Sequence, residues 1–265
     1  LPKKELWYLW ISYYIMMNCP IAPRDDAMLA VMRGQRYDPP PMWLMRQAGR
    51  YLPEYRALRA DKGGFLELVH DSAAACDVTL QPLKRFDFDA AILFSDILVI
   101  PHAMGQDLWF EAGEGPRLAP RIADVALETL TPVPERLEPI YATIRLLRAQ
   151  MPAGRALLGF AGSPWTVATY MVNGAGSKDQ GATRRMAYAE QARFAALIDA
   201  IVAATAEYLI KQIEAGVDAV QLFDSWAGSL APDEFDRWVV APNRAIVDLV
   251  RAAHPTVPII GFPKG

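Results

Sequence analysis

The chain has 265 residues, of which 52% are hydrophobic and 22% charged, enough apolar content for a sizeable core and too much for a chain dominated by disorder. Its 27 Lys and Arg against 30 Asp and Glu give a formal net charge of -3, so no global positive field exists to hold a nucleic-acid backbone or an anionic membrane. The two cysteines, Cys19 and Cys76, stand outside any CxxC, and the three histidines, His70, His102 and His254, lack HxC, HxH or HExxH spacing, which excludes a disulfide scaffold and leaves no recognisable transition-metal motif.

Residues 1–25 stand apart as an N-terminal extension of uncertain status. Lys3 and Lys4 precede an apolar run over 6–17 that superficially resembles a signal peptide, but its 12 residues fall short of the roughly 18–20 that cross a bilayer. No small-x-small cleavage site follows cleanly and the first residue is not Met, so the run reads as an amphipathic extension or a mis-assigned start.

From residue 26 onward, short and nearly continuous apolar runs at 42–45, 90–94, 157–160, 219–223 and 257–262 read as parallel strands buried on both faces. Between them the pattern predicts a helix over 65–81 stopped by Pro82, and one over 135–150 opened by Pro134 and closed by Pro152. The stretch 184–215, ended by Gly216, is long enough for two helices, with Ile198, Ile201, Val202, Thr205, Leu209 and Ile213 forming one apolar face. A further helix over 233–253 is expected to break at Pro242, and the Gly- and Pro-rich stretch 111–116, after 108–110, reads as a hairpin. No internal repeat or Gly/Ser linker divides residues 26–265.

Alternating strands and helices imply a parallel sheet, either a (β/α)8 barrel or an open doubly wound fold. The absence of GxGxxG after the first strand weighs against dinucleotide binding. About 250 residues suffice for eight units, yet the sequence stops just after the fifth strand. The expectation is therefore an α/β chain of (β/α)8 TIM type, incomplete at its C-terminus, rather than a barrel with three overlooked strands.

In such a fold, chemistry gathers where strands end. Arg46, Gln47, Ala48, Gly49 and Arg50 follow the first strand, Ser95 and Asp96 the second, and Gly162, Ser163 and Pro164 the third, with Tyr170 one loop later. Asp224, Ser225 and Trp226 follow the fourth and Lys264 the fifth. Arg46 and Arg50, with Arg56 and Arg59, form a guanidinium group suited to bidentate carboxylates or phosphates, unless they merely pair with Glu54 and Asp61 at the surface. Asp96 is a lone acid amid apolar sequence; it either caps a helix or holds its own loop, or it receives NH groups from a ligand. Tyr170 is open to a plain packing role and Ser225 to helix capping. His102 reads as a satisfied loop histidine and the methionines as packing filler.

Four segments resemble the uroporphyrinogen decarboxylase family. PMWLMRQAGRYLPEYR at 41–56 is similar to its first signature and GFAGSPWTVATYMVNG at 159–174 to its second. FSDILVIPHAMG at 94–105 resembles its aspartate segment and QLFDSWAG at 221–228 its serine segment. The resemblance runs from about Asp26 to the last residue. It implies a (β/α)8 enzyme of tetrapyrrole biosynthesis, a cytoplasmic homodimer without metal or organic cofactor, whose partner is a small-molecule substrate rather than nucleic acid or membrane. It implies conversion of the four acetates of uroporphyrinogen III to methyl groups, giving coproporphyrinogen III.

Carried over by position, Arg46, Gln47, Ala48, Gly49 and Arg50 match the substrate loop, Asp96 the essential carboxylate, and Tyr170 and Ser225 further substrate contacts. Arg46, Asp96 and Tyr170 are the expected catalytic residues, and Arg59 joins Arg50 in holding peripheral carboxylates. Trp226 departs from the family, many members of which place a histidine there, and the family's late substrate-binding histidine lies beyond residue 265; His254 does not match it. The rivals are a corrinoid- or zinc-dependent methyltransferase on the same barrel, for which the chain lacks an HxC-type site, and a tetrapyrrole-binding fragment without turnover.

Overall fold

The computed structural model describes residues 26–45, 51–111 and 115–264. Among them are six strands: β1 (Ala90–Ile92), β2 (Asp107–Glu111), β3 (Gly115–Ala119), β4 (Ala156–Gly162), β5 (Ala219–Asp224) and β6 (Ile259–Pro263). The α-helices are α1 (Ala27–Met32), α2 (Pro53–Asp61), α3 (Phe65–His70), α4 (Ser72–Arg85), α5 (Val99–Ala103), α6 (Glu138–Gln150), α7 (Pro164–Asn173), α8 (Gly181–Ala189), α9 (Gln191–Ala215), α10 (Pro232–Phe235) and α11 (Ala241–Ala253).

Strands β1, β4, β5 and β6 pair in that order in one parallel sheet, with Ala90 opposite Ala156, Leu158 opposite Ala219 and Val220 opposite Ile259. All of β4 is buried, as its unbroken apolar run requires when both faces are covered. Helix α9 lays Ile198, Ile201, Val202, Thr205 and Leu209 inward, the face that the sequence spacing marks out, and β2 with β3 is the expected hairpin.

The amino ends of the strands are tied by acids with full sets of partners. Asp89, just before β1, accepts from the Met42 amide at 2.7 Å and pairs with Arg155 at 3.2 Å. Asp218, just before β5, accepts from the Leu157 amide of β4 at 2.7 Å and from Arg148 at 2.5 Å.

Several expected boundaries move. Residues 42–44 form no regular strand: only Met42 pairs, through Asp89, while Met42 and Leu44 are 56% and 45% exposed, so the run lacks the two-sided burial that an inner parallel strand has. The helix expected over 65–81 is two, α3 and α4, divided at Asp71, whose side chain caps α4 through the Ala74 amide at 3.0 Å. Pro82 does not stop α4. It lies in the last turn, and the helix carries on to place Lys84 against Asp77 and Arg85 against Glu54. The 135–150 helix starts with a 3-10 turn over Pro134–Leu137, and 184–215 is two helices, α8 and α9, as expected. At Pro242 there is no break. A π-helical turn over Asp236–Val240 joins α10 to α11, and Pro242 falls in the first turn of α11, where its missing N–H is not needed.

Gln212 of α9, 0% exposed, ties helix to sheet. Its Oε1 accepts from the Phe160 amide at 3.0 Å and its Nε2 donates to the Phe160 carbonyl at 2.9 Å, satisfying both backbone groups of that β4 residue. The side chain passes over Gly159, where a Cβ would lie 2.3 Å from Oε1. Gln212→Leu removes both bonds and strands two buried backbone groups, so it should cost about 2–4 kcal/mol, read by urea denaturation. A loss under about 1 kcal/mol would mean the Phe160 peptide finds other partners.

Candidate active site

Parallel pairing brings the carboxyl ends of β1, β4 and β5 to one edge of the sheet. Past β1, the Leu93 amide still donates to the Leu158 carbonyl at 2.9 Å, and the Phe94 amide donates to the Thr79 hydroxyl of α4 at 3.1 Å. Asp96 then turns the chain: its Oδ1 accepts from the Leu98 amide two residues on, at 2.8 Å, an Asx turn that leads into α5. Holding its own loop, one of the two roles left open by the sequence, is thus a role Asp96 has. The carboxylate remains half-buried, and its charge adds to the rise that burial imposes on the Tyr208 phenol, which the Ser95 hydroxyl opposes.

The Asp96 turn lies directly on the end of β4. A Cβ on Gly162 would come within 2.9 Å of the Ile97 Cβ and 2.6 Å of the Val167 side chain, so only glycine lets the two segments close. Val167 belongs to the first turn of α7, and Tyr170 follows one turn later. The half-buried Tyr170 ring is tilted against Trp226, with centroids 4.6 Å apart and 31° between planes. Ser225 is exposed beside it and makes no cap to the short 3-10 turn that follows.

Two residues before Trp226 sits an acid to which the sequence assigned a place but no role. Asp224 ends β5 and is 1% exposed. Its Oδ1 accepts from the Thr166 hydroxyl at 2.5 Å, while its buried Oδ2 has no partner among the described residues. Burial pushes this carboxyl up to about 6, against the opposing pull of the Thr166 hydroxyl and the Trp226 amide. The sequence signal was an acid closing an apolar strand; Thr166, 58 positions away, carried none.

Arg46, Gln47, Ala48, Gly49 and Arg50 lie outside the described residues. Arg59 closes α2 with its guanidinium 6.0 Å from the Phe65 centroid. Phe65 in turn meets Phe94 at 5.3 Å, two residues before Asp96, so a chain of rings links the arginine to the aspartate loop. Arg56 and Arg59 line a shallow groove with Tyr55, Ala60, Gly63 and Gly64. The surface pairing considered for them does not form through Glu54, which is taken by Arg85 in a bidentate pair at 2.5 and 2.8 Å. Both guanidiniums therefore have no carboxylate partner among the described residues. His102 lies in α5 rather than in a loop as expected, and it is satisfied there, with Nδ1 on the Gln106 carbonyl at 3.0 Å. Among the described residues no three His, Cys, Asp or Glu side chains gather in a way that could hold a metal, and no helix is long and apolar enough to cross a membrane.

The Asp224 environment has a measurable consequence. Because its folded value lies above the ordinary 3.8, the folded state binds this proton more tightly than the unfolded chain. That stabilisation is complete below about pH 4 and is lost as pH rises through about 6. Asp224→Asn has no such proton, so relative to the parent it should gain about 1–3 kcal/mol in urea unfolding between pH 4.5 and 8. Parallel stability curves for the two proteins would contradict the buried, cation-free setting of Asp224.

The uroporphyrinogen decarboxylase family model matches residues 23–265. A protein of Rhizorhabdus wittichii named uroporphyrinogen decarboxylase is 71% identical over 238 residues, covering 90% of this chain and 69% of its own length. One of Sphingopyxis alaskensis with the same name is 66% identical over 238 residues, covering 90% and 70%. Among solved structures, a methyltransferase from Methanosarcina mazei superposes with a TM-score of 0.66 at 15% identity, covering 90% of this chain and 68% of that one. At that identity the likeness concerns the fold alone, which is α/β of (β/α)8 TIM type. The matched region takes in the arginine loop, the Asp96 turn, α7 and the end of β5, and the chain belongs to the uroporphyrinogen decarboxylase family.

Proposed function

We propose that this chain decarboxylates the four acetate side chains of uroporphyrinogen III to methyl groups, giving coproporphyrinogen III, without a cofactor. The observation that carries this reading is the 71% identity to a relative bearing that name.

Loss of carbon dioxide from an acetate leaves an electron pair that needs a sink, and most decarboxylases take one from a cofactor. A pyrrole protonated at its ring carbon is its own sink. The C–C bond to the carboxylate breaks, its electrons neutralise the ring cation, a proton added at the exocyclic carbon completes the methyl group, and the ring carbon gives up the proton it first took, which restores the neutral pyrrole. Each acetate thus consumes one proton overall and releases one carbon dioxide. The Asp96 carboxylate accepts hydrogen bonds from the pyrrole NH groups and stabilises the positive charge as it develops, which is oxyanion-hole logic with the sign reversed.

Arg46 binds the reacting acetate, Arg50 and Arg59 hold other peripheral carboxylates, and Gln47, Ala48 and Gly49 complete the set of substrate-binding residues. Tyr170 orients Asp96, and Ser225 meets a propionate. Residues 26–265 act as the barrel domain, with the extension 1–25 outside it. The enzyme works as a cytoplasmic homodimer whose ligand is the small tetrapyrrole. The methyltransferase reading gains nothing from the Methanosarcina likeness, which at 15% identity speaks to the fold.

Asp96→Asn keeps an oxygen to accept from the Leu98 amide, so the turn should survive while the charge is lost. Turnover should fall about 10²–10³-fold with little change in melting temperature; near-normal turnover would remove Asp96 from the mechanism. Arg46→Lys exchanges a planar fork for a point charge and should lower kcat/KM at least about tenfold. The assignment as a whole is tested by anaerobic incubation with uroporphyrinogen and chromatography of the oxidised products. A ladder of species with seven, six, five and four carboxylates is expected, and its absence would refute the decarboxylase reading.

A further inference from the structure

We propose that Thr166 and Asp224 are positioning residues that clamp the Tyr170–Trp226 ring pair, so that it presents one fixed aromatic face to a pyrrole ring of the substrate. The proposal rests on the decarboxylase reading for its substrate and on the geometry for the clamp itself.

The clamp is a single hydroxyl shared by two segments. Thr166, 0% exposed, donates to Asp224 Oδ1 at 2.5 Å and accepts from the Trp226 amide at 3.3 Å. It thereby holds the last residue of β5 and the turn after it against α7. Each ring hangs from a point so fixed: Trp226 is the residue whose amide is bound, and Tyr170 stands four positions after Thr166 on α7, hence on the same helix face. The rings meet at 4.6 Å, and both flank Gly176, where a Cβ would sit 3.7 Å from Tyr170 and 3.8 Å from Trp226. Three segments distant in sequence thus converge on one ring pair.

The choice of an acid at 224 fits this role. A hydroxyl that already accepts from an amide is a good donor, and a carboxylate is the strongest acceptor to offer it. The remaining Oδ2 is buried and without a partner among the described residues. Trp226, where many members of the family carry histidine, then supplies a broad apolar face in place of a polar contact.

Thr166→Val removes the hydroxyl at constant shape, and Thr166→Ser restores it. The protein is labelled with 5-fluorotryptophan, and the Trp226 fluorine resonance is assigned by its absence in Trp226→Phe. Thr166→Val should shift that resonance and lower kcat with uroporphyrinogen about 10- to 100-fold while KM stays within about threefold; Thr166→Ser should return both. If the valine variant fails to fold, Thr166→Val with Asp224→Leu, which leaves no buried acid without a donor, should reproduce the effect. An unmoved resonance overturns the clamp even if turnover falls, because the loss then bypasses the rings. Unchanged kcat with a moved resonance overturns its positioning role. A parent protein that does not decarboxylate uroporphyrinogen, yet whose Trp226 resonance responds to Thr166→Val, refutes the substrate reading and leaves the clamp standing.

Discussion

Parallel pairing of β1, β4, β5 and β6 is the constraint from which the rest follows, because it sends every amino end to one edge of the sheet and every carboxyl end to the other. Acids stand at both edges and are treated differently. Asp89 and Asp218, at the amino edge, each face an arginine and a backbone amide from a neighbouring segment, which is the setting of a group that fastens chain to chain. Asp224, at the carboxyl edge, has a hydroxyl and, among the described residues, no cation, and burial raises its pKa. Asp96 has one oxygen in its own turn and remains half-buried. The contrast fits a sheet whose lower edge is organised for stability and whose upper edge for chemistry.

Closure of the upper edge depends on a missing atom. Gly162 ends β4 where the Ile97 and Val167 side chains already occupy the space that a Cβ would need. Any side chain there pushes the Asp96 turn away from α7, and with it the acid from the helix that carries Tyr170. The glycine therefore sets the distance between two functional segments without touching a ligand, and its backbone needs no unusual conformation to do so.

How much of this was legible follows from the range of each signal. The strands at 90–94, 157–160, 219–223 and 257–262 and the division of 184–215 into two helices were readable because burial on both faces and helical spacing are local properties of the sequence. The run at 42–45 misleads for the same reason: an apolar string looks alike whether it enters a sheet or stays exposed as Met42 and Leu44 do. Pro82 and Pro242 misled because a proline's effect depends on its place within a helix, last turn or first. Asp96, Tyr170 and Ser225 were singled out by their position near strand ends and by resemblance to the family, whereas the Arg85–Glu54 pair, the Gln212 bridge to Phe160 and the Thr166–Asp224 bond join residues 31, 52 and 58 positions apart. No local pattern encodes such partners.

The two readings of Asp96 offered by the sequence, loop-holding residue or ligand-binding acid, are compatible once the geometry is known. A carboxylate has about four acceptor directions, and the Leu98 amide takes one of them on Oδ1. That bond fixes the plane of the group, so its remaining acceptor directions are aimed by the same turn that Asp96 stabilises. A carboxylate on a freely rotating side chain would have to be ordered each time a substrate bound, at a cost in entropy; one already anchored would offer a ligand's NH groups a prepared orientation. On the proposed reading the structural bond serves the chemistry, since an acid that did nothing for its own loop would be the poorer catalyst.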